Sequence, residues 1–523
     1  MSITLAAGPV LAALVAAAYG LAAAAAAKRR CYLLDFACYK GPEELVTSLD
    51  TFIYKSRQAG CFSEESMDFQ ARISQRNGVS DHCYLPPALH MHPDERAARV
   101  RGARPETRTM MEAREEAGMV LFQVVGEALA RTGLKPKDID ILVVNCSLFN
   151  PTPSLSAMVV NHFKFRSDTV TYNLAGMGCS AGVIAVGLAQ KLLRVHGKGA
   201  YALVVSTENI TQNWYLGDDR SMLIPNTLFR MGGAAVVLTN KASERPRAKY
   251  ELAHCVRVHL GGDDVAYECV FQHEDADGVV GVELNRDLVK VAGRALERNL
   301  TKMGPMVLPV SEMVKYAAVA VARALLPRGR APPPYTPDFK KAFDHFCLHA
   351  GGRGVIDGLA KQLDLPSHKA APSYNSLFWY GNTSSASLWY ALGYVEACQG
   401  VKAGEVVWQV GFGSGFKCNS AVWRALRPVK DDTHSAWTHM ADASNASAVE
   451  RYQGAEGGVS QGPCAPACAG PYLRGYDTGA ATRQQGGLPP PLKGGKAGSG
   501  SATPVLASTG SPGRRATRSR AGR

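Results

Sequence analysis

Asn173-Leu-Ala-Gly-Met-Gly-Cys-Ser-Ala-Gly182, followed by the apolar run Val183 to Leu193, decides how this chain is read. Small residues crowd ahead of Cys179, and Gly176 and Gly178 permit tight backbone geometry and close approach of another group. A cysteine opening a helix sits where unsatisfied N–H groups and the macrodipole favour negative charge, which predicts a stabilised thiolate. On this segment alone Cys179 is either a nucleophile on a strand-to-helix turn, given a base elsewhere, or a small buried residue between packed elements.

Outward from that turn, short apolar runs at Ile141–Val144, Tyr201–Val205 and Ala234–Leu238 read as buried strands. Helical spacing over Glu112–Thr132, ending at Gly133, and over Met158–Phe163 alternates with them. The second half keeps the rhythm. Asp287–Leu300, Ser311–Leu326, Val355–Leu363 and Ser384–Gln399 read as helices, Phe343–His349 and Val406–Val410 as strands. Such alternation predicts an α/β fold with covered sheet faces. Cys31 to about Ala98 looks mixed and irregular.

With 523 residues, 46% hydrophobic and 20% charged, the chain is a globular protein with room for two or more domains. A net charge of +13 favours anionic partners, among which nucleic acid lacks any supporting zinc-finger or RNA-binding pattern. Thirteen cysteines without framework spacing suit a reducing compartment. Ile3 to Ala27 is 25 residues without a charge and precedes Lys28-Arg29-Arg30, which predicts a transmembrane anchor with the globular part in the cytosol. Beyond about residue 429, Gly, Ala, Ser and Pro dominate and the last ten residues hold five arginines, as in a disordered basic tail. Cys464 and Cys468 in that tail have no second ligand pair and read as unpaired thiols.

Two later stretches can complete a site. In Asp344-His-Phe-Cys-Leu-His-Ala-Gly-Gly352, strand alternation puts His345, Cys347 and His349 on one face. No further ligand cluster favours metal; His345 reads as a satisfied core histidine, and His349, beside two glycines, as the better base. In Gly381-Asn-Thr-Ser-Ser385 the hydroxyls read as helix caps, whereas Asn382 could donate its amide N–H to a substrate oxygen. Gly411-Phe-Gly-Ser-Gly-Phe416 is no dinucleotide fingerprint and reads as a glycine loop walling a site.

These blocks, together with Val144–Ser156, Ser206–Ile210 and Phe229–Ala235, resemble plant-type very-long-chain 3-ketoacyl-CoA synthases from about Cys31 to Arg424. The resemblance implies a thiolase-like fold of two similar βαβαβ-type halves, a dimer and attachment to the endoplasmic reticulum membrane. The chain then divides into an anchor (1–30), a connecting region (31–98), a half with the nucleophile (99–245), a half with His and Asn (246–428) and the tail (429–523). Matched motif by motif, Cys179, His349 and Asn382 form the catalytic set. His259 and His345 match further family histidines, and Phe378 stands where the family usually has histidine. Gly411, Gly413 and Gly415 would support the substrate, with one N–H of their loop joining that of Cys179 in an oxyanion hole. The implied reaction is a decarboxylative condensation of malonyl-CoA with an acyl-CoA bound to Cys179. It needs no cofactor or metal and works beside ketoacyl-CoA reductase, hydroxyacyl-CoA dehydratase and enoyl-CoA reductase partners. A chalcone-synthase-type polyketide synthase and a non-catalytic elongase scaffold are the alternatives.

Overall fold

Eleven strands appear in the computed structural model, which describes residues 30–90 and 108–441 apart from residues 198, 328 and 432. They are β1 (Tyr32–Cys38), β2 (Ile141–Asn145), β3 (Val170–Leu174), β4 (Tyr201–Thr207), β5 (Gly233–Thr239), β6 (Tyr250–His259), β7 (Val270–Glu274), β8 (Val280–Leu284), β9 (His345–Leu348), β10 (Val406–Gly413) and β11 (Lys417–Ala425). Nine form one mixed sheet in the order β3-β2-β4-β5-β1-β6-β11-β10-β9, while β7 and β8 pair by themselves.

The order contains a repeat that the residue types hide. From β1 outward, β1-β5-β4-β2 pair antiparallel, antiparallel and parallel. From β6 outward, β6-β11-β10-β9 repeat that series. The two series meet where β1 and β6 pair antiparallel through Tyr32↔Glu251 and Leu33↔Tyr250. The first half carries one extra edge strand, β3, parallel to β2. In each half a helix leads into the inner parallel strand: Ala181–Val195 before β4 and Ser387–Tyr394 before β10. Ser387–Tyr394 is buried throughout and Ala181–Val195 from its start to Gly187, while Lys191, Arg194 and Val195 at its far end reach solvent.

Helix Met110–Thr132 covers the first half. Thr109 and Glu112 form a reciprocal cap at its start, Gly133 ends it at φ 68°, and Ala113, Ala117, Val120, Val124 and Ala128 face the core. Leu288–Val307 takes the corresponding place ahead of β9.

A buried charge cluster sits at the seam. Lys249, next to the start of β6, places its ammonium 2.7 Å from Asp35 of β1, from Glu396 and from Asp431. Arg131 also pairs with Asp35 and Asp431, and His434 lies 2.9 Å from Glu396. The four acidic and imidazole groups here have the spacing of a cation site, and the ammonium of Lys249 occupies it.

The structure changes several sequence expectations. Tyr32–Cys38, inside the stretch read as irregular, is a central strand. Gly411 and Gly413 belong to β10 and only Gly415 lies in the turn, so this is a strand end rather than a loop. Packed structure continues past residue 429: Val429 bridges to Val401, and Trp437 is buried with its indole N–H donating to the carbonyl of Tyr390. The Ile3–Ala27 segment and the chain beyond residue 441 lie outside the described residues. Among the described residues no helix is long and apolar enough to cross a membrane.

Candidate active site

Cys179 stands between β3 and helix Ala181–Val195, on a turn that only glycine can build. Gly178 has φ 69°, and a Cβ there would meet the backbone N of Ser414 at 2.3 Å and Cα of Gly413 at 2.8 Å. A Cβ on Gly413 would in turn strike Ser180 Oγ at 2.7 Å and the Met177 carbonyl at 2.8 Å. The nucleophile's turn and the end of β10 therefore interlock backbone against backbone. The amide of Asn419 on β11 donates to Ser180 Oγ over 2.8 Å and fixes the turn from the other side. Burial pushes the Cys179 thiol up to about 11, opposed by a hydrogen bond from Ser384 and reinforced by the charge of Glu208. The resting group is a thiol: burial outweighs the helix N-terminus that favours thiolate.

His349 follows β9, and its N–H continues the pairing with β10 by donating to the Val410 carbonyl over 3.0 Å. Its Nδ1 lies 2.8 Å from Ser387 Oγ, at the start of the second central helix. Gly351 leaves the other edge open, since a Cβ there would come within 3.2 Å of Nε2. Burial lowers the imidazole to about 4, so it is neutral near pH 7. Ser387 can donate to Nδ1 or accept from it, which lets Nε2 serve as donor or acceptor.

Asn382 comes from the turn before that helix. Gly381 takes φ 66°, and the Asn382 backbone N–H donates to the Leu228 carbonyl over 2.9 Å. Its side-chain oxygen accepts from the Ser384 N–H at 2.9 Å, turning the amide NH2 toward the Gly351 carbonyl, 3.4 Å away. The residue thus caps with its oxygen and keeps its N–H donors for the His349 side. Ser384 joins the set together: its hydroxyl stands between Cys179 and Glu208, 3.1 Å from the carboxylate, with one proton to give to either, and its N–H holds Asn382. Glu208 is buried and also accepts from the N–H groups of Leu148 and Ser147. From sequence Ser384 reads as a cap, and Ser387 and Glu208 have no assigned role, because nothing local marks a serine that turns inward.

The remaining sequence candidates part company. His345 sits at the far end of β9, about 13 Å of strand from His349, and bonds to Glu405 at 2.9 Å and Gln399 at 3.3 Å. Cys347 is fully buried and its thiol is pushed up by burial, so the trio is not one ligand set. His259 ends β6 at the surface, its Nδ1 accepting from the Gly261 N–H at 2.9 Å, and the strand register sets it opposite Lys417. Phe378 lines a cleft of about 390 Å³ with Asn77, Ser80, Asp81 and Arg230.

The imidazole's low value carries a pH prediction. The free energy of unfolding should fall as pH drops from about 6.5 towards 4, because the unfolded chain then binds a proton that buried His349 refuses. Denaturant titrations of wild type and His349→Gln across that window check it: the glutamine variant should lose part of the slope.

Known proteins agree with the geometry. Residues 23–325 match the family profile of FAE1/Type III polyketide synthase-like proteins, and residues 340–425 that of the 3-oxoacyl-[acyl-carrier-protein] synthase III C-terminal region. The chain is 53% identical to 3-ketoacyl-CoA synthase 2 of Arabidopsis thaliana over 403 residues, covering 77% of this chain and 74% of that protein. It is 50% identical to 3-ketoacyl-CoA synthase 4 of the same plant over 414 residues, covering 79% and 77%. Among solved structures, a fungal type III polyketide synthase, ORAS, superposes with a TM-score of 0.56 at 20% identity, over 76% of this chain and 99% of that one. CsyB complexed with CoA-SH gives 0.58 at 19%, over 76% and 100%. These likenesses show the thiolase-like fold.

Proposed function

The chain belongs to the 3-ketoacyl-CoA synthase family, and from that premise we infer how its site divides the reaction. The protein is an acyl-condensing transferase. Its substrates are a long-chain acyl-CoA and malonyl-CoA, and its product is a 3-ketoacyl-CoA two carbons longer. The observation that carries this reading is the linked set Cys179–Ser384–Asn382–Gly351–His349, which joins a nucleophile from one half to two N–H donors from the other.

A thiol pushed up to about 11 and an imidazole lowered to about 4 are both neutral near pH 7. The proton therefore leaves Cys179 only as sulfur attacks the thioester carbon, passing through Nε2 of His349 to the departing CoA sulfur. The N–H groups of Cys179 and Ser414, brought together by the interlocked turns, suit the oxyanion of that step. Malonyl-CoA then loses carbon dioxide, and His349 Nε2–H and the Asn382 amide stabilise the enolate oxygen. The enolate carbon attacks the acyl carbonyl and Cys179 leaves. The apolar side chains of Leu148, Ile210, Trp214, Phe229 and Val282, around a pocket beside Glu208, suit the start of the acyl chain. Arg257, His259 and Lys417 form a basic rim at the end of the β6–β11 pair and suit CoA phosphates.

Asn382→Ala should slow carbon dioxide release from malonyl-CoA about a hundredfold, the worth of one positioned donor near 3 kcal/mol. Acylation of Cys179 should change far less. Equal loss in both half-reactions overturns the assignment to the enolate.

The placement belongs to the same reading: endoplasmic reticulum membrane, catalytic part facing the cytosol where both CoA thioesters and the reductase and dehydratase partners would meet it. The charge-free Ile3–Ala27 and the cations after it support this. Protease added to intact microsomes should digest the catalytic part; protection would place it in the lumen. The edge strand β3, with Val170 and Tyr172 exposed, supports pairing with a second copy. The far closer match to ketoacyl-CoA synthases than to polyketide synthases favours fatty-acyl extension over the chalcone-synthase reading.

A further inference from the structure

Helix Val310–Leu325 is built inside out. Val310, Val314, Ala317, Val321 and Leu325 recur at helical spacing along one stripe, and that stripe faces away from the protein. Val310 and Leu325 are each 78% exposed, Val314 60% and Val321 56%. Met306 and Leu326 extend the apolar surface at either end.

The opposite face does the docking, with half-buried Val319 and Ala322 beside a buried carboxylate. Glu312 is fully buried, accepting from Lys341 Nζ at 2.6 Å, from the Asp338 N–H at 3.1 Å and from the Tyr335 hydroxyl. One turn on, Lys315 reaches the same carboxylate at 3.2 Å, and further along Arg323 donates to the Pro332 carbonyl over 2.6 Å. A surface helix in water packs the opposite way, with its apolar stripe on the core.

The charge around it is one-sided. From Arg298 to Arg330 the sequence carries the cations Arg298, Lys302, Lys315, Arg323, Arg328 and Arg330, while its one carboxylate, Glu312, is already neutralised within the protein. Sixteen residues make a helix about 24 Å long, and it is among the described helices too short and too little apolar to span. An exposed apolar stripe with surplus positive charge suits the boundary between anionic headgroups and acyl chains.

We propose that helix Val310–Leu325 lies flat in the surface of an anionic lipid bilayer, its valine–leucine stripe among the acyl chains. The proposal rests on the membrane placement argued above and adds a second, interfacial contact made by the catalytic part itself. It would hold that part against the bilayer from which a long-chain acyl-CoA arrives.

The test uses the full chain in vesicles of phosphatidylcholine and phosphatidylserine doped with a diazirine-bearing phospholipid, with photo-cross-links mapped by mass spectrometry. Peptides covering 306–326 should be labelled well above the peptide holding Val195, which is exposed but carries no such stripe. The variant Val314→Ser/Val321→Ser/Leu325→Ser, altered only at exposed positions, should keep its circular dichroism and lose most of that labelling. Labelling no stronger than at Val195, or labelling unchanged in the triple variant, overturns the proposal. So do helix-to-helix cross-links between copies that persist without lipid, which would make this face a protein interface. The readout is independent of turnover, so it fails separately from the assignment of the reaction.

Discussion

Cys179→Ala should abolish condensation, by at least about 10⁴-fold, and abolish radiolabelling of the protein by acyl-CoA. The reason is that, among the described residues, no other cysteine stands on the glycine turn at the start of a central helix. Cys347, the nearest in sequence to His349, is sealed in the core with its thiol held high, so Cys347→Ala should retain the label. An acyl-enzyme in the Cys179→Ala protein would refute the nucleophile. A stricter comparison is Ser384→Ala. It removes the hydroxyl shared between Cys179 and Glu208, so the rate of acylation should drop while the fold persists.

Lys249→Met should be strongly destabilising, on the order of 3–5 kcal/mol, because it removes the ammonium that Asp35, Glu396 and Asp431 share and leaves only Arg131 and His434 to offset three carboxylates. In the wild type, burial works against the Lys249 charge, but Glu396, Asp35 and Asp431 outweigh it and raise its pKa. Burial also opposes the charge of Glu396 and Asp431, and Lys249 with His434 overcomes it and holds both below their ordinary values. Groups depressed in this way stabilise the fold above the unfolded carboxylate range near pH 4, and that stability is lost as pH falls through the folded values. Without Lys249 the carboxylates resist ionising, so the sign reverses: acidification from pH 7 to about 5 should make the variant more stable. Urea melts of both proteins at the two values decide the matter, and parallel behaviour would mean the cluster is not coupled as described.

The same cluster shows what a linear reading misses. Asp35 breaks the apolar run Tyr32–Cys38 and makes a central strand look irregular; its partners, Arg131 and Lys249, lie some one and two hundred residues on. β6 and β11 went unrecognised for a related reason. β11 carries buried Asn419 and Ser420, whose bonds to Ser180 and Asn299 exist only after folding, and β6 mixes Glu251, His254 and Arg257 among its apolar residues. By contrast, charge-free Ile141–Asn145, Tyr201–Thr207 and Gly233–Thr239 are legible because their buried polar residues, Asn145, Ser206, Thr207 and Thr239, stand at the strand ends and leave the apolar run unbroken. The nucleophile, His349 and Asn382 each stand beside glycines in motifs that match a family, and the structure joins them. Ser384 and Glu208 lie in matching blocks too but do not stand out there as chemistry, since a serine at a helix start caps far more often than it reaches inward.

The two central helices begin at the same point. Gly182, in the first turn of one, lies so close to Ser385, at the entry to the other, that a Cβ would sit 2.5 Å from its carbonyl oxygen. Equivalent helices of a repeated half thus meet head to head, and the positive ends of both point where the reaction deposits negative charge. This attraction is supplied by main chain and no side-chain substitution can remove it. A protein stripped of both Asn382 and His349 should therefore still favour a bound oxyanion over an empty site. The repeat supplies a floor of electrostatic help beneath the chemistry that individual residues later sharpened.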